Sequence, residues 1–428
     1  MAGPQTSFQL NWLNRWYLKL DNYHAASIKG SPWLKRVKFN KRGGESVVSR
    51  FTLYGHRSSS GDIQTAQGIA ANNRGGSRKL AWNVTYGEYS GSILVPHRDQ
   101  ELSRQDDDAA AKALTFDVGL ALKQHGNELT RIWFSNPGYS LVSAARAVAA
   151  GVITLGNAQE ASNFYPGDQI VISANDGSST SHVRVAGSGV GYVISRDLRA
   201  ATVTVSATPG GAAGMPTNWA ATSYFYFREG EFLPGGTDIM TPLQAYLPQA
   251  PVSTTLNGVD RSLDSILSGF IPAAASLTGK TGSARVKRAI NEHREQLGEM
   301  SETSEVDCAY VNPVDWGKIE EEYGAKGMTV PYGDTAKDGY SSLVVQTANG
   351  ELRFISEPQV PRGRCFILAQ NDITWHTPSG MIGKFVDMGN GSIFRVKDSS
   401  NDLEMRPQSY IAATMGAPYK HMHLDMVG

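Results

Sequence analysis

The chain has 428 residues, too many for one ordinary core, so two or three domains, or one domain with large insertions, are expected. Forty Lys+Arg balance forty Asp+Glu, which removes any global electrostatic signature of a nucleic-acid binder. Hydrophobic content of 40% permits ordinary cores, no run approaches the roughly 18 apolar residues of a membrane span, and the N-terminus has no basic-then-apolar leader. Cys308 and Cys365 both stand inside apolar runs and read as reduced core residues of a protein made inside a cell.

Residues 1–40 mix Phe8, Trp12, Trp16, Tyr17 and Trp33 with basic residues, without clean periodicity. So many large rings do not belong on a free arm. The expectation is an extended segment packed on something, a neighbouring chain included. Residues 41–99 read as two long strands around a polar middle, SSSGDIQTAQGIAANNRGGS, which makes a long hairpin. Lys41, Arg42, Arg50, Arg57, Arg74, Arg78 and Lys79 dominate it against Glu45 and Asp62. Because a lone two-stranded hairpin is marginal in water, its stability is expected to come from a partner.

The strongest helix follows, from Asp106, Asp107 and Asp108 in its first turn to a stop at Pro137-Gly138. Leu114, Val118, Leu122, Leu129 and Trp133 trace its apolar stripe. A helix of roughly 28 residues would be about 40 Å long. A second short helix is expected at SLVSAARAVAAG. From Gly151 to about Pro234 the texture becomes short strands (GVITL, DQIVIS, SHVRVAG, VGYVIS, ATVTVS, SYFYF) with turns such as Pro166-Gly167-Asp168, which predicts a small antiparallel barrel or sandwich. Residues 235–395 are mixed. Helices are expected at RSLDSILSGF, SARVKRAINEHREQLGEM and PVDWGKIEEEYG, and strands at SSLVVQT, ELRFISEP, GRCFILAQ and IGKFVD. The tail reads as strands.

Few residues point to chemistry. Gly279-Lys280-Thr281 has Ala274 where a phosphate loop needs its first Gly, and no strand leads into it. His421 and His423 alternate on an expected strand without a third metal ligand, and read as a polar strand face. His293 falls on a charged helix face and reads as solvated. Asp106 to Asp108 are better dipole partners than a cation site. Asn83-Val84-Thr85 matches a glycosylation acceptor but accompanies no secretory signal. No nucleophile elbow, dinucleotide fingerprint or zinc spacing is present, so no catalytic residue, cofactor or metal is expected. At Asn312-Pro313-Val314-Asp315-Trp316 a strand meets a helix. Asn312 suits the N-cap, Pro313 the first helical position and Asp315 the first turn, while Trp316, Ile319 and Tyr323 form one stripe. This is a structural corner, not an active site.

The order of elements, from aromatic arm through basic hairpin, long helix, β insertion and mixed region to terminal strands, resembles the major capsid proteins of tailed bacteriophages, the Hong Kong 97-like fold. Several motifs are similar to those of phage capsid-like proteins: YFYFREGEF (224–232), TPLQAYLP (241–248), LNGVDRSLD (256–264), AYVNPVDWGKI (309–319) and GELRFISEPQVPRGRCFIL (350–368). The resemblance covers about residues 45–428, with the first 40 matching only in character. It implies an α+β fold. Its parts would be an N-terminal arm (1–44), an extended loop (45–99), a peripheral domain with a spine helix (100–150), an inserted β-barrel-like domain (151–234), an axial domain (235–395) and return strands of the peripheral domain (396–428).

It also implies assembly. The partners would be further copies of the chain as homo-pentamers and homo-hexamers, a separate scaffolding protein, a portal, a decoration protein, and packaged double-stranded DNA held without sequence reading. No membrane is involved, and the place is the virion capsid, assembled in the host bacterial cytoplasm. Intersubunit contacts are expected at Arg50, Arg57, Arg74, Arg78, Lys79, Trp12 and Trp16, with Asp106 to Asp108 as an acidic counterpart. An encapsulin-type compartment and a phage tail structural protein are the alternatives, with an enzyme behind them.

Overall fold

The computed structural model describes residues 20–53, 78–95, 107–135, 139–142, 144–174, 189–227, 240–299, 306–325, 342–347, 350–385, 395–396 and 403–426. Among these residues helix α1 (Leu20–Ile28) comes first, then strand β1 (Lys38–Lys41). The hairpin strands β2 (Ser46–Leu53) and β3 (Arg78–Thr85) follow, then β4 (Gly87–Ser90), β5 (Ile93–Val95) and helix α2 (Asp107–Phe134). The next strands are β6 (Arg146–Ala149), β7 (Val152–Thr154), β8 (Gln169–Ser173), β9 (Gly191–Asp197), β10 (Thr202–Ser206) and β11 (Thr222–Phe227), with helix α3 (Ala158–Ser162) after β7.

The mixed region opens with α4 (Leu243–Tyr246) and a tight hairpin of β12 (Thr255–Leu256) and β13 (Val259–Asp260). Helices α5 (Ala274–Leu277), α6 (Gly282–Glu299) and α7 (Pro313–Ala325) accompany β14 (Cys308–Val311), β15 (Ser342–Thr347), β16 (Gly350–Ser356) and β17 (Arg364–Leu368). The chain ends with β18 (Ile373–Thr377), β19 (Lys384–Phe385), β20 (Arg395–Val396), β21 (Leu403–Met405), β22 (Pro407–Met415) and β23 (Met422–Asp425).

The five-stranded sheet β15-β16-β14-β17-β23 is a wall between two cores. Successive side chains of a strand point to opposite faces. Cys308 and Tyr310 of β14 therefore enter one core, with Phe366 and Leu368 of β17. Ala309 and Val311 enter the other, with Cys365 and Ile367. Both faces are covered, by α2 and β18 on one side and α6 and α7 on the other, which is why CAYV is apolar without alternation. The two free cysteines lie on opposite faces and have no route to a disulfide.

Trp33 is the centre of the first core. It is fully buried, stacks on Trp133 at 5.7 Å and meets Tyr310 edge-on at 5.1 Å, with Trp375 6.4 Å away. The expectation that this segment packs on something is met at Trp33 by the chain's own core, where the indole buries its area among other rings. Residues 20–28, expected to be extended, are helical, and α1 lies across α2. At Gly126 of α2 an added Cβ would sit 2.0 Å from the Ser27 carbonyl oxygen, so only glycine permits that approach.

The hairpin base also belongs to this core, against the expectation that it needs a partner. Val47, Phe51, Trp82 and Val84 are buried; Trp82 Nε1 donates to the Gly416 carbonyl at 3.1 Å, and Tyr419 OH to the Thr52 carbonyl at 3.2 Å. Asn257 and Gly258, both with positive φ, turn β12 into β13, and the Asn83 amide donates to the Asn257 carbonyl at 2.8 Å. Residues 54–77, with Arg57 and Arg74, lie outside the described residues.

Helix α2 spans the 28 residues expected, and Val118, Leu122, Leu129 and Trp133 of its stripe are buried. The helix expected after it is instead strand β6, because 146–149 pair with β7 and β11 and complete a closed barrel, β10-β7-β6-β11-β8-β9. Alternate residues such as Ile170, Ile172, Val203 and Val205 fill the barrel with Phe164, Trp219 and Phe225. Residues 181–187, expected as a strand, lie outside the described residues. RSLDSILSGF forms two 3-10 turns capped by Asp260 and Asp264, whose carboxylates capture local amides before a regular helix can propagate. The tail divides between sheets: β22 pairs β18, β19 and β4, while β23 crosses to β17 in the wall.

Gly126→Ala gains about 1 kcal/mol of helix propensity, yet the clash with Ser27 is expected to make it a net loss of about 1–3 kcal/mol. Urea unfolding, with protease cutting inside 20–31, checks this; a stabilised variant would mean that α1 does not rest on α2.

Candidate functional site

The residues expected at subunit contacts fall into two groups. Arg50 and Lys79 are exposed on the outer face of the hairpin base, beside Val48, while Val47, Phe51 and Trp82 turn inward. Arg78 pairs with Leu53 through its backbone, and its side chain lies outside the described residues. Trp12, Trp16 and Asp106 lie outside them as well. Asp107 and Asp108 open α2, with side chains outside them too. The structure therefore brings Arg50 and Lys79 together and leaves the acidic counterpart unplaced. Sequence reasoning missed a nearby kind of surface: Phe116 (69% exposed) and Leu120 stand four residues apart on the outside of α2. Their spacing against the buried Val118 and Leu122 was the available signal.

Asn312 and Asp315, both buried, do more than begin a helix. Asn312 Oδ1 accepts the Val314 amide at 3.1 Å, as an N-cap does. Its Nδ2 reaches across to the Val360 carbonyl at 3.0 Å. Asp315 Oδ2 accepts the Gly363 amide at 2.6 Å, and Oδ1 meets Lys318 Nζ at 3.2 Å. Trp316, half-buried, packs on the second core. The corner thus clamps the β16–β17 connection, where Gly363 takes a φ of 77°. That connection has two more fastenings. Gln159 Nε2 of α3 donates to the Pro358 and Val360 carbonyls at 2.9 and 2.6 Å, while Gln159 Oε1 accepts the Arg362 amide at 2.9 Å. Fully buried Glu357 accepts from Ser31 Oγ at 2.7 Å and the Trp33 amide at 2.9 Å. Burial pushes its carboxyl up to about 7, against those hydrogen bonds.

The histidines correct the expectation of polar faces. His293 is fully buried and its Nε2 donates to the Tyr419 carbonyl at 2.8 Å. His423 donates from Nδ1 to the Leu247 carbonyl at 3.0 Å and accepts Arg364 at Nε2. His421, also fully buried, accepts the Ala369 amide. All three meet carbonyls and amides that the wall and its neighbours would otherwise leave unpaired. Burial lowers His125 and His423 to about 3 and His293 to about 4. Among the described residues no three His, Cys, Asp or Glu side chains could share a metal ion, and no helix is long and apolar enough to cross a membrane. Gly279-Lys280 lies between α5 and α6, and no strand leads into it.

No family model and no curated protein matches the sequence. Among solved structures, the chain is similar to a cyanophage A-1(L) capsid asymmetric unit at 8% identity, covering 95% of this chain and 92% of that one, with a TM-score of 0.47. It is similar to a satellite phage P4 procapsid that includes the size determination (Sid) protein, at 11% identity over 99% and 98% of the two chains, TM-score 0.41. A virus-like particle from Pyrococcus furiosus aligns at 9% identity over 96% and 99%, TM-score 0.38.

Two outcomes are expected from this geometry. Asp315→Ala strands the half-buried Gly363 amide and is expected to cost about 1–3 kcal/mol in denaturant unfolding, whereas Lys318→Ala, removing only the exposed partner, stays within about 0.5 kcal/mol. The second concerns pH. Groups lowered in the fold, here three histidines, lose their stabilisation as pH falls below about 6.5. The raised Glu357 carboxyl works oppositely, its contribution being complete below about 4.5 and lost as pH rises through about 7. Stability should therefore climb by about 2–3 kcal/mol per pH unit between pH 4.5 and 6, then level off above pH 7, where the carboxyl offsets what remains of the histidine contribution. Glu357→Gln should steepen the climb, by about 3 kcal/mol in total between pH 4.5 and 7, as urea midpoints across this range would reveal.

Proposed function

We propose that this chain is a major capsid protein of a tailed bacteriophage, with the Hong Kong 97-like fold, many copies of which close as pentamers and hexamers into an icosahedral shell around double-stranded DNA. The observation that carries this reading is one arrangement: a basic hairpin, a 28-residue helix, a closed barrel, a two-cored α/β wall and returning C-terminal strands, in that chain order. The motifs that resemble phage capsid proteins fall where this arrangement needs them, at the Asn257-Gly258 hairpin, the Asn312 corner and the turn that the corner clamps.

In this reading the hairpin base is a rigid root, and Arg50, Arg78 and Lys79 present positive charge to an adjacent copy. Arg57, Arg74, Trp12 and Trp16 extend that contact, and Asp106 to Asp108 supply its acidic side. Exposed pairs of this kind give register more than energy, under about 1 kcal/mol each. Phe116 and Leu120 are apolar area that a neighbour covers, at about 25 cal/mol per Å2. Neutral net charge suits subunits packed side by side. The barrel is the inserted domain, residues 235–395 the axial domain, and 396–428 the return strands. A scaffolding protein, a portal, a decoration protein and DNA held through its phosphates complete the partners, and the shell is assembled in the host cytoplasm.

Light-scattering mass across ionic strength, with negative-stain images of any heavy fraction, tests the reading. Closed shells or five- and six-membered rings are expected. Arg50→Glu combined with Lys79→Glu should leave the folded monomer intact and cut the assembled fraction at least about tenfold, since the change repeats at every contact. A compact monomer at every salt concentration, with residues 54–77 resistant to protease, would sink the proposal. Shells that form around protein cargo and never take up DNA would favour the encapsulin-type alternative.

A further inference from the structure

A cleft of about 560 Å3, its mouth included, opens where the end of α2, the barrel's α3 and the β16–β17 connection meet. Three guanidinium groups line it: Arg131, Arg362 and Arg364. Its carboxylate and two of its amide oxygens are already engaged. Glu160, its one carboxylate, is held by Arg146 through two contacts of 2.6 and 2.9 Å and accepts the Gly156 amide at 2.8 Å. Asn157 Oδ1 accepts the Glu160 amide at 3.1 Å, and Gln159 Oε1 the Arg362 amide. Arg131 has Glu128 at 2.6 Å, and Arg364 has Asp425 at 3.4 Å. Arg362 differs: its Nε is buried and has no hydrogen-bond partner among the described residues.

The Arg362 guanidinium also has no carboxylate beside it among the described residues, so an anion in the cleft, reaching its Nη atoms, would supply the missing countercharge. The planar fork of a guanidinium fits two oxygens of phosphate or carboxylate side by side. We propose that this cleft binds a small oxyanion, free inorganic phosphate, at Arg362, with Arg131 and Arg364 lending charge. Three elements wall the cleft, which favours a compact ion over a phosphodiester with its two esterified oxygens. Because α3 belongs to the barrel and Arg362 to the wall, the bound ion ties the barrel to the rest of the subunit. The inference does not depend on the capsid reading.

Thermal unfolding of the full chain in potassium phosphate, against potassium chloride at equal ionic strength, is the test. A saturable rise of about 1–2 °C is expected at phosphate tenfold above its dissociation constant. Arg362→Gln should abolish the rise while leaving the melting temperature in chloride close to that of the parent. An equal rise in chloride, no rise, or a rise that persists in the variant would overturn the proposal. If the variant fails to fold, phosphorus NMR of phosphate with the unaltered protein decides: one saturable site per chain, competed by sulfate, supports it, and only unsaturable broadening overturns it. Displacement of the phosphate by a short single-stranded oligonucleotide would overturn the free-ion assignment and transfer the site to a nucleic-acid backbone.

Discussion

The connection from Glu357 to Arg364 is the constraint on which the rest depends. A half-buried turn must find partners for the amides and carbonyls that it takes out of water. Here those partners come from places far apart in the chain. Asn312 and Asp315 hold Val360 and Gly363, Gln159 holds both rims, and Glu357 catches Ser31 and Trp33. Trp33 then fixes where Trp133 and Trp375 must stand. Eight residues of backbone thus set the relative position of the N-terminal segment, the long helix, the barrel and the wall. Each fastening is a short polar side chain on unbranched backbone, a directional device where apolar contact alone would permit sliding.

Against this fixed interior stands a lightly used exterior. Val48, Phe116, Leu120 and Tyr410 are apolar and more than a third exposed, while the buried surfaces beneath them are densely aromatic. Scattered exposed apolar residues are ordinary. Val48 on the hairpin base and Phe116 and Leu120 on the long helix gain weight from their place, since the opposite faces of both elements are held in the first core.

Much of this was legible in the sequence, for reasons that can be traced residue by residue. The Val118–Leu122–Leu129–Trp133 spacing gave α2 its length, and alternation gave most barrel strands their existence. The Asn312-Pro313 signal placed a helix start to the residue. Three kinds of information were hidden. Residues 146–149 look helical because alanine favours helix, and only pairing with β7 and β11 overrides that preference. Buried histidines look like surface ones, since a polar letter does not reveal that a carbonyl awaits it across the fold. The clamp on the turn needs four segments to meet, and no local pattern encodes a meeting. The hairpin base was half-read: its strands are plain, but Trp82 finding Gly416 spans 334 residues.

The barrel closes on itself with a core of its own, and its entry and exit lie side by side, the Leu141 amide donating to the Phe225 carbonyl at 2.8 Å. A closed sheet offers no free edge for stray strand pairing. Adjacent ends mean that the chain leaves and re-enters the body across the width of a single strand pair. The barrel is therefore a plug-in unit: a different compact module could stand in its place without moving the wall or the long helix, provided that its own two ends were neighbours.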